Sequence, residues 1–217
     1  MKSETADKIL KQIRFRKTPY KMEVLGFVLQ INKDTYPPMG ESKFLAKHLQ
    51  HKKYGIQKGE RVLDYGCGSG LQSIISATRG ANVIAIDINS NAVECTRKNA
   101  QLNGVENNIE VRQGKNFEPI KEEEEFDVII ANLPFEDANP KGILEYSVYD
   151  PNLQMRNSLF KNISKHFTKQ GRIFYTYTQR VQKVLPIEKS SQEVKYEIID
   201  QKEIEGSLYL LYLITLR

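Results

Sequence analysis

Cysteine is scarce in this chain. Only Cys67 and Cys95 occur among 217 residues, and they lack CxxC spacing, so a disulfide scaffold is excluded and a reducing compartment is expected. The three histidines, His48, His51 and His166, have no carboxylates at metal-ligand spacing, which predicts surface or packing roles and no metal. Long apolar runs are missing too. The stretches around Val128 to Ala131 and Leu208 to Leu216 fall far short of the roughly 18 to 20 residues that a membrane span needs, so no membrane partner is expected. The first residues, MKSETADKILKQIRFRK, are charged throughout and lack an apolar core or a small-residue cleavage site. No secretory signal is predicted, and a cytoplasmic location follows. Repeats and low-complexity tracts are absent as well.

What is present suits a single α/β domain with an extension. The chain is 40% hydrophobic and 27% charged, ample for a core and ordinary for a globular protein, which excludes disordered and fibrous classes. Its charge is uneven. Residues 1 to 60 hold 13 Lys/Arg against 6 Asp/Glu, the remainder 19 against 21, so the net +5 divides into +7 and −2. An acidic partner near the N-terminus is the natural reading.

Along the chain, Ile9, Leu10 and Ile13 at helical spacing predict a short basic amphipathic helix over Thr5 to Lys17. Tyr20 to Thr35 is richer in β-formers around Gly26 and reads as a hairpin or one bent strand. Tyr36-Pro37-Pro38 is extended punctuation, and a helix from Glu41 to Lys53 follows. Residues 1–57 thus form an N-terminal extension of basic helix, β segment and second helix. From residue 58 to 217 short β-rich runs alternate with helical ones, the pattern of βαβ units in a parallel sheet. Strands are predicted at Arg61 to Tyr65, Asn82 to Asp87, Ile109 to Gln113, Phe126 to Asn132 and Arg172 to Thr178. Helices are predicted at Leu71 to Arg79, Asn91 to Asn103 and Asn152 to Phe167, the last ended by Gly171. Val194 to Ile204 and Leu208 to Leu216, joined by Gly206, read as a terminal hairpin at the sheet edge. The acidic run Glu122 to Glu125 reads as a solvated loop.

The most informative stretch is Val62 to Gly70, VLDYGCGSG: a buried strand, an acid, then Gly66, Gly68 and Gly70 just before a helix. Glycines there let a ligand reach the backbone and permit positive φ. The dinucleotide fingerprint G-x-G-x-x-G is not met, because Leu71 stands where its third glycine belongs. The stretch closely resembles motif I of the class I S-adenosylmethionine-dependent methyltransferases, small-domain type. Three further matches follow in order: AIDIN ending at Asp87 and Ile88, QGKNF at Gln113 to Phe117, and FDVIIANLPF, which closes on Asn132-Leu133-Pro134-Phe135. The last resembles the Asn-Pro-Pro-aromatic motif, with Leu133 in place of the first proline. INKDTYPPMGESKFLAKHL, Ile31 to Leu49, is similar to the segment preceding motif I in rRNA guanine-N2 and release-factor glutamine methyltransferases.

The resemblance implies a Rossmann-like, seven-stranded, three-layer α/β sandwich, mostly parallel with an antiparallel C-terminal strand, over residues 58–217. It implies S-adenosylmethionine as cofactor, held by Asp64, Gly66, Cys67, Gly68, Gly70, Asp87, Ile88, Asn116, Phe117 and Asn132. Asp64 would take its amino-acid end, Asp87 its ribose, and Asn116 its adenine, with Lys115 where relatives often carry an acid. Aromatic faces such as Phe135 or Tyr65 suit a sulfonium. Asn132, Pro134 and Phe135 would be the catalytic set, fixing and stacking a planar NH2. Leu133, Phe135, Tyr36, Arg14 and Arg16 would contact substrate, and Pro38 and Glu41 would line the same wall. For Tyr36, Pro38 and Glu41 a plain structural turn and helix start is the alternative; for Cys67 it is a small filler between glycines. Asp150-Pro151 reads as a helix start, and Met155 and Arg156 could reach the acceptor cleft from that helix. The expected activity is N-methylation of a planar amino or amide nitrogen on RNA or on a protein glutamine. A non-catalytic cofactor- or RNA-binding module and a small-molecule N-methyltransferase stand as alternatives.

Overall fold

The computed structural model describes residues 4–178 and 194–217. Helix α1, Glu4–Phe15, buries Ala6, Ile9 and Leu10, with Glu4 and Asp7 in its first turn and Arg14 in its last, the charge order that favours a helix dipole. Strands β1 (Tyr20–Val24) and β2 (Phe27–Ile31) pair as an antiparallel hairpin. Its two turn residues, Leu25 and Gly26, both have positive φ, 55° and 85°, the twist that two-residue hairpins favour. Helix α2 spans Gly40–Leu49, four residues short of the predicted end at Lys53. There the Ile56 N–H donates to the Leu49 carbonyl at 2.8 Å and turns the chain away.

The large sheet uses β3 (Arg61–Tyr65), β4 (Asn82–Asp87), β5 (Ile109–Gln113), β6 (Phe126–Ala131), β7 (Phe167–Thr178), β8 (Val194–Ile204) and β9 (Ser207–Leu216). Their order is β5-β4-β3-β6-β7-β9-β8. β3 pairs in parallel with β4 and β6, while β9 lies antiparallel to both β7 and β8. The chain runs outward from β3 to β5 and restarts at β6 on β3's other side. The crevice beyond the C-terminal ends of β3 and β6 is therefore the switch point at which open α/β sheets bind ligands.

Alternation along the strands builds one core on each face. Val62, Val83, Val128 and Phe174 join α3 (Leu71–Thr78), α4 (Ser90–Leu102), α2 and the hairpin. Leu63, Ile84, Ile129 and Tyr175 join α5 (Gln154–Asn162). The extension is thus continuous with the main core through Leu29, Ile31, Leu45 and Leu49. Fully buried Asn99 on α4 adds a pseudo-strand pairing: its Oδ1 accepts from the Gln30 N–H at 2.7 Å and its Nδ2 donates to the Gln30 carbonyl at 2.9 Å. A third, smaller cluster of Ala6, Leu10, Leu144, Val148 and Tyr149 seats α1 on the segment after β6.

Two readings need correction. The helix predicted over Asn152 to Phe167 is α-helical only from Gln154 to Asn162, because Asn152 and Leu153 adopt left-handed φ of 54° and 53°. Gly171 does not end that helix. It lies inside β7, where a Cβ would meet the Phe167 ring at 2.6 Å. Nor is the whole acidic run solvated: Glu124 is buried and takes the Arg112 guanidinium at 2.7 and 2.8 Å. The Arg112 fork holds the Glu124 carboxyl down at about 2.

Candidate active site

A cavity of about 350 Å³ opens at the switch point. Its floor is the β3–α3 turn. Gly66, Gly68 and Gly70 all have positive φ, 89°, 55° and 83°, a run that side chains would strain. Gly68 meets only the Tyr36 carbonyl, at 4.0 Å, so its surface is open to a ligand. Gly70 does a different job and is not part of the lining: a Cβ there would strike Thr96 on α4 at 2.9 to 3.1 Å. It lets two helices approach.

Asp87 ends β4 and ties two loops together, accepting the Gly68 N–H on one oxygen and the Asn89 N–H on the other, both at 2.9 Å. The cap of α4 is Asn89, whose Oδ1 accepts the Asn91 N–H, so Asp87 is left at the cavity wall. Asp64 is buried, with one oxygen accepting the Ser73 hydroxyl at 2.5 Å. Burial pushes its carboxyl up to about 6, with the nearby Asp87 adding to the rise. Cys67 lines the turn, and burial pushes its thiol well up, consistent with a filler and not a nucleophile.

At the far end, Ile88, Gly114, Lys115 and Asn116 form the wall. The Lys115 ammonium donates to Gln154 Oε1 at 2.9 Å, so the cation bridges across to α5. Asn116 has φ 52° and accepts the Tyr65 hydroxyl at 3.3 Å. Phe117, expected at the cofactor, is instead core: it is buried between Tyr65 and His166, with ring centroids 5.1 and 5.3 Å away, and does not line the cavity.

Asn132, Leu133, Pro134 and Phe135 line the β6 side. The Asn132 amide is clamped at both ends: Nδ2 donates to Ser42 Oγ at 3.2 Å, and Oδ1 accepts the Thr176 hydroxyl at 2.5 Å. A carbonyl oxygen retains a second lone pair in that arrangement. Beneath the motif, fully buried Arg156 donates to the Pro134 carbonyl at 3.4 Å. Asp150 starts the helical segment as predicted, accepting the Met155 and Arg156 N–H groups at 2.9 and 3.1 Å. Phe135 packs on the α1 cluster.

Tyr36, Pro38 and Glu41 also line the cavity, and the Tyr36 hydroxyl donates to Glu41 Oε1 at 3.2 Å. Arg14 and Arg16 do not. Arg14 pairs with the buried Glu145 at 2.6 Å, and the Arg16 guanidinium lies 3.9 Å over the Tyr20 ring. His48 has partners after all, with Asp200 at 2.8 Å and Tyr54 at 2.9 Å. Sequence reasoning missed Ser42, Gln72 and Thr176. Only the proximity of Ser42 and Gln72 to recognised segments could have signalled them.

A methyltransferase-domain family model matches residues 56–210. The chain belongs to the methyltransferase domain family. It is 38% identical over 129 residues to the release factor glutamine methyltransferase of Aliivibrio fischeri, covering 58% of this chain and 44% of that protein. Against the ribosomal protein L11 methyltransferase of Cupriavidus necator it is 37% identical over 86 residues, 39% of this chain and 27% of that one. The chain therefore spans less than half the length of these curated relatives. In three dimensions it resembles the T. thermophilus 16S rRNA N2 G1207 methyltransferase in complex with AdoMet and guanosine, with TM-score 0.67 and 18% identity over 91% of this chain and 50% of that one. At that identity the likeness speaks to the fold.

This methyltransferase domain implies S-adenosylmethionine, and the lining fits it. A strand-end carboxylate offers lone pairs to a diol, a glycine turn leaves room beside it, and buried Asp64 awaits a cation.

Proposed function

We propose that this methyltransferase domain transfers a methyl group from S-adenosylmethionine to a planar amino or amide nitrogen of RNA or of a protein. The cofactor supplies an electrophilic methyl carried on a sulfonium. Asp87 would hold its ribose, Asp64 its amino-acid end, and the Gly114 to Asn116 wall its adenine. These residues orient the donor and add nothing to the acceptor's nucleophilicity.

The observation that carries the reading is the doubly clamped Asn132 on the same cavity. Its Oδ1 and the Leu133 carbonyl would accept the two N–H groups of the acceptor. Because Thr176 and Ser42 already fix the amide, little side-chain entropy is lost on binding. Phe135 would stack on the acceptor's π-system, and Arg156 holds the Pro134 peptide from below. Aligning the nitrogen lone pair is the catalytic contribution; the proton can leave to water after attack. Support for a macromolecular acceptor comes from the exposed basic and aromatic end of α1, where Lys11, Phe15 and Lys17 are free of the core.

The test is incubation with labelled S-adenosylmethionine and cell extract, followed by RNase or protease. Label should appear on one polymer and be released by one of the two treatments, and Asn132→Ala protein should leave the extract unlabelled. Labelling that survives Asn132→Ala at full rate would overturn the assignment.

A further inference from the structure

Gln72 sits in the first turn of α3, is 6% exposed and lines the cavity. Its Nε2 donates to the Ser42 carbonyl on α2 at 3.0 Å. That bond fixes the amide's orientation, since a flip would set oxygen against oxygen. Its Oε1 is then left buried without any hydrogen-bond partner among the described residues. An acceptor abandoned in this way costs about 1–3 kcal/mol, and a side chain of any apolar type would avoid that cost. The position asks for a donor from a ligand.

The sheet order says which donor. Across the crevice the wall passes from β5 and its Asn116, through β4 and Asp87, to β3 and Asp64, then to β6 and Asn132. Gln72 belongs to the β3 end of this series. It follows β3 by one turn, its neighbour Ser73 bonds Asp64, and its partner Ser42 also bonds Asn132. The two N–H groups of the acceptor are already matched by Asn132 Oδ1 and the Leu133 carbonyl. At this end the cofactor offers one multiple donor, its α-ammonium, with three N–H groups to satisfy.

Resting on the cofactor reading above, we infer that Gln72 Oε1 accepts the α-ammonium of S-adenosylmethionine, and that it thereby selects donors with an intact amino-acid end. Through Ser42, the same side chain couples that end to the helix that braces Asn132.

Three ligands test this by calorimetry on wild type and Gln72→Met protein: S-adenosylhomocysteine, the same thioether with its α-amino group replaced by hydrogen, and methylthioadenosine. Wild type should lose roughly ten- to a hundredfold in affinity when the amino group is removed, the range of a hydrogen bond to a charged group. Gln72→Met should bind S-adenosylhomocysteine about that much more weakly, lose little further on deamination, and bind methylthioadenosine as wild type does. An amino-group effect of equal size in both proteins overturns the inference. So does an equal loss for all three ligands, which would make Gln72 a brace for α2 alone. Absence of S-adenosylhomocysteine binding to wild type would instead sink the cofactor reading.

Discussion

On the β3 to β5 side of the cavity the wall is largely backbone, folded by glycine and closed by a carboxylate 19 residues away, Asp87 to the Gly68 N–H. On the β6 side it is side chains from distant parts of the chain. Asn132 is held by Thr176, 44 residues on, and by Ser42, 90 residues back. α1 reaches the same side over 131 and 142 residues through Arg14 to Glu145 and Tyr149 to Asp7. A donor common to a whole family can be met by a local loop. An acceptor particular to one enzyme is met by parts that only tertiary packing assembles. Substitutions should therefore separate donor binding from acceptor handling.

The largest separation is expected from Asn132→Ala. It should lower kcat roughly 10²- to 10³-fold, the scale for losing one preorganised polar contact at a reacting centre, while cofactor affinity by calorimetry stays within about threefold. A matched loss in both would merge the two sides. Asp87→Ala should do the reverse, weakening cofactor binding roughly ten- to a hundredfold and leaving much of kcat recoverable at saturating cofactor.

Acid should act on the donor side alone. The Asp64 carboxyl, raised to about 6 by burial, is folded more readily when protonated, so its contribution to stability is full at low pH and is lost as pH rises through about 6. A cation beside it favours the ionised form, so cofactor affinity should fall about tenfold for each pH unit below 6. Asp64→Asn should flatten that profile, and a profile unchanged by the substitution would remove Asp64 from the site. The smallest effect concerns α1. Neutralising Lys11 and Lys17 should raise the acceptor KM only a few-fold, with the difference vanishing by about 0.5 M salt. Adding Arg14 and Arg16 to the set should destabilise the helix as well, since both already have partners.

The same contrast explains what could be read from the residues in order. Gly66 and Gly68, Asp87 and the alternating β and α runs are local signals, each needing a few neighbours to be interpretable. Phe117 misled because an aromatic beside a binding loop fits both a ligand face and the gap under Tyr65, and packing chose the gap. Glu124 misled because a run of four acids hides which one meets Arg112 from across a turn. The Asn152 to Phe167 helix was overextended since nothing in the side chains announces two left-handed residues at its start. Ser42, Thr176 and Gln72 carry no motif at all. Their meaning lies wholly in what they face.

The small cluster under α1 has a consequence for turnover. Ala6, Leu10, Leu144, Val148 and Tyr149 form a patch separate from the two large cores, so detaching it exposes far less apolar surface than unfolding the sheet. Local opening of this unit lies well below the global free energy. Amide exchange in residues 4–15 and 144–149 should then accelerate together under mild denaturant while β3 to β6 stay protected. A bulky acceptor can be admitted and released by lifting one flap, with the methyl donor kept in place underneath.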